Sequence, residues 1–346
     1  MIVKNEENIL GRCLESVKDI VDEIIIVDTG SDDKTKEIAF KYTDKVYDFI
    51  WEDNFSAARN FSFSKATKDY QMWLDADDIL LEEDAKKLAA LKQNLDRNVD
   101  IVTFKYNTHF DKNNKPILTL TRERLFKREK SYRWNDPVHE YILMMGKVFD
   151  SDIYVTHKKI SLYTDRNLKI YEKLIDDNKE LSPRSIFYFA SELKDNMHYD
   201  RAALYFERFL NEGKGWVEDN ISASFKLNSC YKMINYHSRR MPVLLKSFEI
   251  ASPRAEICCS IGELFIEKNM YQSAEAWYMF AVNLTKPITQ GFILNDYWDY
   301  IPNIQLCICN YRLGNIEKAI YYNEQAAKYK PDCNAVLYNK TFFEKV

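Results

Sequence analysis

The stretch EIIIVDTGSDDKTKEIAFKYT, residues 23–43, decides the fold of the first half of this chain. It contains a continuous apolar run, EIIIVD, of the kind that is buried in a parallel sheet. Polar residues able to cap a helix follow in SDDKT, and the remainder has helical character. A buried strand followed directly by a helix predicts one unit of an alternating α/β structure.

The neighbouring sequence repeats this order of strand and helix over residues 1–100. A short strand ends in MIV, an apolar helical stripe runs through EENILGRCLESVKDI, and strand, helix and strand signals follow in KVYDFIWE, NFSAARNFSFSKA and YQMWLDAD. Between residues 100 and 160, two more strands, DIVTFKYNTHF and KPILTLTRERLFKR, surround the turn-like DKNNKP. This order predicts a mixed sheet with a parallel part covered by helices.

A helical repeat replaces the strand signals from about residue 165 onward. Three segments align without gaps and share an alanine at one position: 189–209 with Ala202, 261–281 with Ala274, and 306–326 with Ala319. A degenerate copy, LNSCYKMINYHSRRMPVLLKSFEIA, fills the interval between the first two. Small residues let paired helices approach closely, and the pattern resembles tetratricopeptide repeats. An ordinary helical bundle is the alternative.

Composition limits the possible functions. A length of 346 residues favours two domains, and a net charge of −4 gives no general basis for binding nucleic acid or an anionic membrane. The N-terminus is too charged for a signal peptide, and no apolar stretch approaches the length of a transmembrane helix. Seven cysteines without a secretory signal predict reduced, buried thiols in a cytoplasmic protein.

Polar clusters stand where the predicted strands end, which is where open parallel sheets bind ligands. They are KNEE after the first strand, DTGSDDKT after the second and DADD after the fourth. Glycine-rich phosphate loops are absent from the sequence. Residues i and i+2 of an extended segment point to one side, so Asp75 and Asp77 could address one Mg²⁺ or Mn²⁺ ion. The alternative is that Asp77 or Asp78 caps the helix that begins near Leu81.

In this order and spacing, the segments MIVKNEE, IIIVDTGSDDKT, NFSAARN and MWLDADD resemble family 2 glycosyltransferases of the GT-A fold. With WNDPVHE and a repeat tail behind it, the chain is similar to the sublancin S-glycosyltransferase and flagellin glycosyltransferase group. The resemblance implies a GT-A domain over residues 1–165, which is a Rossmann-like mixed sheet with helices on both faces. A tetratricopeptide-like domain over residues 166–346 follows it.

The resemblance also implies an activity: inverting transfer of a hexose, glucose or N-acetylglucosamine, from a UDP-sugar to a Ser, Thr or Cys side chain. By the same resemblance Asp28 binds uridine, Arg59 contacts the base, and Asp75 and Asp77 form the D-x-D motif. We also expect Asn5 and Glu6 of the KNEE cluster to contact the donor. The first strand is shorter than the family's, so either the true start lies upstream or a central strand is short.

The acceptor side of the site is expected in RWNDPVHEYI, residues 133–142. Inverting transfer needs a base for the acceptor's proton. Glu140 is the preferred base, because related enzymes place an acid on this segment, and His139 and Asp136 are the other candidates. A polar corner without chemistry is the alternative.

Three more residues complete the predicted site. His157 could be a third metal ligand, or it could merely be hydrogen-bonded. Arg122 and Arg124 could clamp the diphosphate and stabilise the charge on the departing UDP, or they could be exposed strand charges.

Three functions are compatible with these residues. The leading hypothesis is a metal-dependent protein or peptide glycosyltransferase whose repeat domain presents the acceptor or forms a homodimer. The second is a glycosyltransferase that acts on a lipid-linked or polysaccharide glycan, and a membrane-binding basic helix would favour it. The third is a non-catalytic repeat scaffold, which the intact Asp28, Arg59, Asp75 and Asp77 oppose.

Overall fold

The computed structural model describes residues 1–110, 116–158, 165–287, 289, 291 and 293–345. The chain divides into two compact units, residues 1–179 and 180–346. The sequence places its boundary after residue 165, and that position stays a prediction. The turn-like segment that was predicted between the two long strands lies largely outside the described residues. No described helix has the length and apolarity that crossing a membrane requires.

The first unit begins with a three-stranded parallel sheet in the order β1–β2–β3. The strands are β1 (Ile2–Val3), β2 (Ile26–Asp28) and β3 (Val46–Asp48). Helices follow each strand: α1 (Leu10–Glu15), α2 (Thr35–Ala39) and α3 (Phe55–Lys65). The predicted alternation is therefore confirmed, and β1 is as short as the sequence indicates.

A five-stranded mixed sheet follows in the order β4–β7–β6–β10–β5. Its strands are β4 (Tyr70–Met72), β5 (Asp78–Ile79), β6 (Ile101–Phe110), β7 (Pro116–Lys127) and β10 (Val148–His157). β10 runs parallel to β6, while the other pairings are antiparallel. The remaining elements are α4 (Glu82–Asn94), a 3₁₀ turn (Arg128–Lys130), the hairpin of β8 (Trp134–Asn135) and β9 (Tyr141–Ile142), and α5 (Arg166–Asp176).

The mixed α/β architecture agrees with the prediction, but the described strands form a three-stranded sheet, a five-stranded sheet and the separate β8–β9 hairpin rather than one sheet. Where the sheets approach each other, a cavity of about 550 Å³ is lined by Met1, Ile24, Ile25, Tyr70 and Met72. None of the predicted site residues lines this cavity. The functional site must therefore be sought at the polar strand ends.

The second unit consists of paired helices. They are α6 (Pro183–Asp195), α7 (Tyr199–Glu212), α8 (Val217–Met233), α9 (His237–Ile250), α10 (Ala255–Glu267), α11 (Tyr271–Val282), α12 (Asn295–Trp298), α13 (Tyr300–Arg312), α14 (Ile316–Tyr329) and α15 (Asn334–Phe343). Ala202, Ala274 and Ala319 are fully buried in the second helices of their pairs, as the repeat pattern predicts. The cysteines of this unit are free thiols, and all but Cys333 are buried.

The degenerate copy departs from the repeat at one buried position. Arg240 is the fourth residue of α9, the place that alanine takes in α7, α11 and α14, and it is fully buried. Its Nε donates to Asn228 Oδ1 at 3.0 Å, and its guanidinium lies 2.7 Å from Glu267 and 3.2 Å from Glu263 of the next helix pair. A buried arginine with partly exposed glutamate partners thus replaces the small residue of the other pairs, and its ion pairs connect α9 to α10.

We expect Arg240→Ala to lower the free energy of unfolding by about 2–4 kcal/mol, because it removes a large, fully buried side chain together with its contacts to Asn228, Glu263 and Glu267. Arg239→Ala is the matched control, since Arg239 is 57% exposed and pairs with Glu207 at the surface. The control should cost less than about 1 kcal/mol. Denaturant unfolding followed by helical circular dichroism measures both, and equal losses would contradict the assignment.

Candidate active site

Asp28 ends β2 with one satisfied and one unsatisfied carboxylate oxygen. Oδ1 accepts the backbone N–H groups of Gly30 at 2.9 Å and Ser31 at 2.8 Å. This turn needs a positive φ of 101° at Gly30, which glycine adopts readily. Oδ2 is buried and has no hydrogen-bond partner among the described residues. An orphaned buried acceptor costs free energy, so Oδ2 fits a ligand that brings an N–H donor.

The loop after β1 is fastened to the loop after β2. Asn5 donates its backbone N–H to Ser31 Oγ at 2.9 Å, and its Oδ1 accepts from the backbone of Asp32 at 3.0 Å. Glu6 donates its backbone N–H to Thr35 Oγ1 at 2.7 Å. Burial and the charge of Asp77 raise the pKa of Glu6 to about 7. Both residues therefore lie at the polar edge where the sequence places them.

Asp77, Asp78 and His157 form a cluster that could hold a cation. One ligand atom from each lies within 4.8 Å of the others. His157 Nδ1 is 3.4 Å from Asp77 Oδ1 and 3.3 Å from Asp78 Oδ1, because β10 ends antiparallel to β5 and places His157 opposite Asp78. Two carboxylates and one imidazole suit a divalent cation such as Mn²⁺. Burial raises the pKa of Asp77, which indicates that the described residues do not fully compensate its charge.

The composition of this cluster differs from the predicted ligand set, in which Asp75 joins Asp77. The backbone N–H of Asp78 donates to the carbonyl oxygen of Asp75 at 3.0 Å, so the segment turns here. The rule that residues i and i+2 share one side holds for extended chains and fails at a turn. The capping alternative is wrong, because α4 begins after Leu81 without a side-chain cap.

Asp75 pairs with Arg59 instead. Arg59 Nη2 lies 2.9 Å from Asp75 Oδ1, and Arg59 Nε lies 2.6 Å from Glu140 Oε1. The guanidinium also lies about 5 Å from the ring centres of Trp73 and Trp134. Arg59, which is predicted on the donor side, is therefore paired with Glu140, the predicted base of the acceptor side.

Arg124 lies behind the acidic cluster. It is fully buried with Asp78, and Arg124 Nη1 lies 2.9 Å from Asp78 Oδ2. Its guanidinium stacks 3.8 Å from the ring centre of Trp73 and 4.4 Å from that of Tyr106. Burial raises the pKa of Asp78, but the charge of Arg124 and the hydrogen bonds from His157, Tyr106 and the backbone of Asp75 together lower it below its usual value, so Asp78 is ionised.

Arg124 cannot contact a diphosphate directly in this conformation, because its side chain is fully buried. Val102 of β6 pairs with Leu125 of β7, and the next residue, Thr103, pairs with Glu123. Arg124 therefore has no partner residue on β6. Sequence alternation does not reveal such a bulge. Arg122 lies over the same Trp73 ring at 5.6 Å and is 35% exposed, so it keeps access to a ligand.

The acceptor-side loop between β8 and β9 is held in a strained conformation. Asp136 and His139 have positive φ angles of 63° and 53°, which non-glycine residues adopt only when their surroundings enforce it. The ring of His139 stacks on Tyr171 with centroids 6.5 Å apart. Glu140 is largely buried, with 13% of its side chain exposed. Burial raises the pKa of Glu140 and Arg59 lowers it, with a net decrease, so the carboxylate is ionised.

The sequence interpretation missed two members of the site. Asp78 was considered only as a helix cap, although it stands in the same DADD motif. Asn60 follows Arg59 and exchanges two hydrogen bonds with the backbone of Trp134, at 3.0 Å and 2.9 Å. The adjacent "RN" in NFSAARN was the available signal, but its partner segment lies 74 residues away.

Residues 1–152 match the family model described as Glycosyl transferase family 2. A TPR repeat-containing protein of Synechococcus elongatus is 38% identical over 142 residues, which cover 41% of this chain and 34% of that protein. The SPbeta prophage-derived glycosyltransferase SunS of Bacillus subtilis is 27% identical over 229 residues, which cover 62% of this chain and 53% of that protein. These matches confirm the resemblance that the sequence motifs indicate.

The chain spans about a third of the length of the first relative and about half of the second. Among solved structures, YrrB, described as a TPR protein with an unusual peptide-binding site, is 16% identical and has a TM-score of 0.38. That match covers 51% of this chain and 83% of YrrB. So low a score carries no argument about binding.

Proposed function

We propose that the chain, whose residues 1–152 match the Glycosyl transferase family 2 model, transfers a hexose from a UDP-sugar to a protein or peptide side chain. The observation that carries the proposal is the cluster of Asp77, Asp78 and His157 at the strand ends of this domain. A bound divalent cation supplies positive charge that neutralises the donor's diphosphate. The hexose is glucose or N-acetylglucosamine, and the anomeric configuration inverts.

The buried Oδ2 of Asp28 supports a uridine nucleotide. Uracil carries one N–H donor at N3, and that donor satisfies the acceptor which the described residues leave without a partner. Asn5 and Glu6 border the same edge through their bonds to the loop after β2. Arg122 remains exposed enough to reach the diphosphate.

On the acceptor side, the carboxylate of Glu140 takes the proton from the acceptor hydroxyl or thiol. The acceptor atom then forms a bond to the anomeric carbon from the face opposite UDP, and UDP departs with the electron pair of the broken bond. His139 and Asp136 flank Glu140 in the strained loop and orient the acceptor.

A polypeptide acceptor is supported by the repeat unit. A cavity of about 310 Å³ there is lined by charged, aromatic and amide side chains, including Lys232, Glu263, Tyr297 and Gln305. Arrays of helical repeats build extended concave surfaces, which suit an extended peptide. In this proposal the repeat unit presents the acceptor to the site or forms a homodimer.

Intact mass spectrometry tests this function. The chain is incubated with Mn²⁺, candidate acceptor peptides that contain Ser, Thr or Cys, and either UDP-glucose or UDP-N-acetylglucosamine. We expect the peptide to gain the mass of one sugar residue, and the gain should vanish when EDTA is added or when an ADP-sugar replaces the donor. Transfer to lipid-linked or polysaccharide glycans alone, or no turnover of either donor, would contradict the proposal.

A further inference from the structure

Helix α3 holds the whole acceptor-side segment through four contacts. The backbone N–H of Phe55 donates to the carbonyl of Pro137 at 2.8 Å, and Ser56 Oγ donates to the carbonyl of Asp136. Arg59 pairs with Glu140, and Asn60 exchanges two bonds with Trp134. Residues 134–140 are therefore aligned along the first turns of one helix.

Arg59 is the charged member of this set and is enclosed on both sides. Its guanidinium lies 5.0 Å from the centre of the Trp73 ring and 4.9 Å from that of Trp134, and both tryptophans are buried. Only 10% of its side chain is exposed. Burial by itself lowers the pKa of Arg59, but the charges of Asp75 and Glu140 raise it, so the guanidinium is charged.

The same guanidinium connects the acceptor side to the acidic cluster. Nε donates to Glu140 Oε1 at 2.6 Å, and Nη2 donates to Asp75 Oδ1 at 2.9 Å. Asp75 in turn donates its backbone N–H to Asp78 Oδ2 at 3.1 Å. A continuous path of polar contacts thus runs from Glu140 through Arg59 and Asp75 to Asp78.

We propose that Arg59 is a positioning residue that fixes the Glu140 carboxylate toward the acceptor and couples it to the donor-side acids. This inference rests on the proposed function. This role differs from the contact with the uracil base that the family resemblance implies for Arg59. The described contacts direct the guanidinium to two carboxylates rather than toward open space. Fixing a base within a few tenths of an ångström matters, because a small misplacement of a reacting group costs about a hundredfold in rate.

Arg59→Met is the main test, because methionine keeps apolar contact with both tryptophans and removes the charge. We expect kcat to fall about 10²- to 10³-fold, while the Kd for UDP changes less than about threefold. Lys65→Met is the matched control: Lys65 is on the same helix with its cation over Tyr47 and Phe61, away from the site. Arg59→Lys keeps the charge and should restore part of kcat if the first variant folds poorly.

A pH profile separates positioning from mere structural support. The groups that act on the Glu140 charge are Arg59 from α3 and His139 of its own loop. Arg59 lowers the pKa of Glu140, so its removal raises that pKa, and the acid limb of kcat should move to higher pH. A carbon-13 titration of labelled glutamate, assigned with Glu140→Gln, should show the same upward movement without any need for turnover.

The outcomes discriminate between the alternatives. A Kd for UDP that rises tenfold or more, in step with the loss of kcat/KM, would indicate that Arg59 contacts the uracil base and would overturn the inference. An unmoved Glu140 titration, or kcat within about threefold of the wild type, would overturn it as well. Failure of the proposed function itself would be visible as absent turnover in the wild-type chain, while the glutamate titration still reads the Arg59–Glu140 pair.

Discussion

Asp77→Asn is expected to reduce the turnover of a UDP-sugar in the presence of Mn²⁺ by about 10³-fold or more. The substitution removes one of two anionic oxygen donors from the cluster with Asp78 and His157, and a bound cation contributes several kcal/mol to stabilising charge on the departing diphosphate. Asp77 has 21% of its side chain exposed, and the fold should survive the change. Calorimetric titration of Mn²⁺ in the presence of UDP, with an activity assay beside it, measures both effects.

Asp75→Asn distinguishes this account from the simpler D-x-D interpretation. Asp75 pairs with Arg59 and is not a member of the three-residue cluster. We therefore expect Mn²⁺ affinity to change only a few-fold in this variant, while kcat falls through the loss of an Arg59 partner. Asp152→Asn, an 82% exposed aspartate on the same strand as His157, is the control and should change neither quantity. Equal loss of Mn²⁺ affinity in the Asp75 and Asp77 variants would contradict the cluster as described.

Glu140→Gln should lower kcat for transfer by about 10²- to 10⁴-fold and leave the Kd for UDP within about threefold of the wild type. Glutamine keeps the shape of the side chain and an oxygen that can accept from Arg59 Nε, but it cannot take a proton from the acceptor. Transfer assays and calorimetry of UDP on the same preparation measure the two quantities.

Glu129→Gln is the control for this prediction. Glu129 is 65% exposed, pairs with Lys127 and lies outside the site, so its replacement should leave transfer and binding unchanged. If UDP binding and transfer fall together in Glu140→Gln, the side chain is structural. If transfer persists, His139 becomes the stronger candidate, and His139→Ala should then abolish it.

Local patterns in the sequence predict the elements of this fold well because their causes are local. The apolar run that ends at Asp28 becomes β2, and Asn54 caps α3 by accepting from the backbone of Ala57 at 3.0 Å. The buried alanines mark the second helices of the repeat pairs, since close helix packing excludes larger side chains. Arg240 is the exception, because an ion pair with the next helix pair replaces that packing.

The geometry of the site depends on contacts between distant segments, and these are harder to predict. Arg59 and Glu140 are 81 residues apart in the chain, and no local pattern indicates that they pair. Because the chain turns between Asp75 and Asp78, the cluster contains Asp78 and not the predicted Asp75. The bulge at Arg124 interrupts the alternation of β7, and Arg124 is fully buried whereas Arg122 remains 35% exposed.

The central claim is that Asp77, Asp78 and His157 hold a divalent cation beside a uridine nucleotide. Anomalous diffraction at the manganese edge, from crystals grown with Mn²⁺ and UDP, tests it most directly. The account predicts one strong peak within coordination distance of Asp77 and His157, with the diphosphate of UDP on its open side. A peak that is bound by Asp75 instead, or UDP bound with no peak at this cluster, would contradict it.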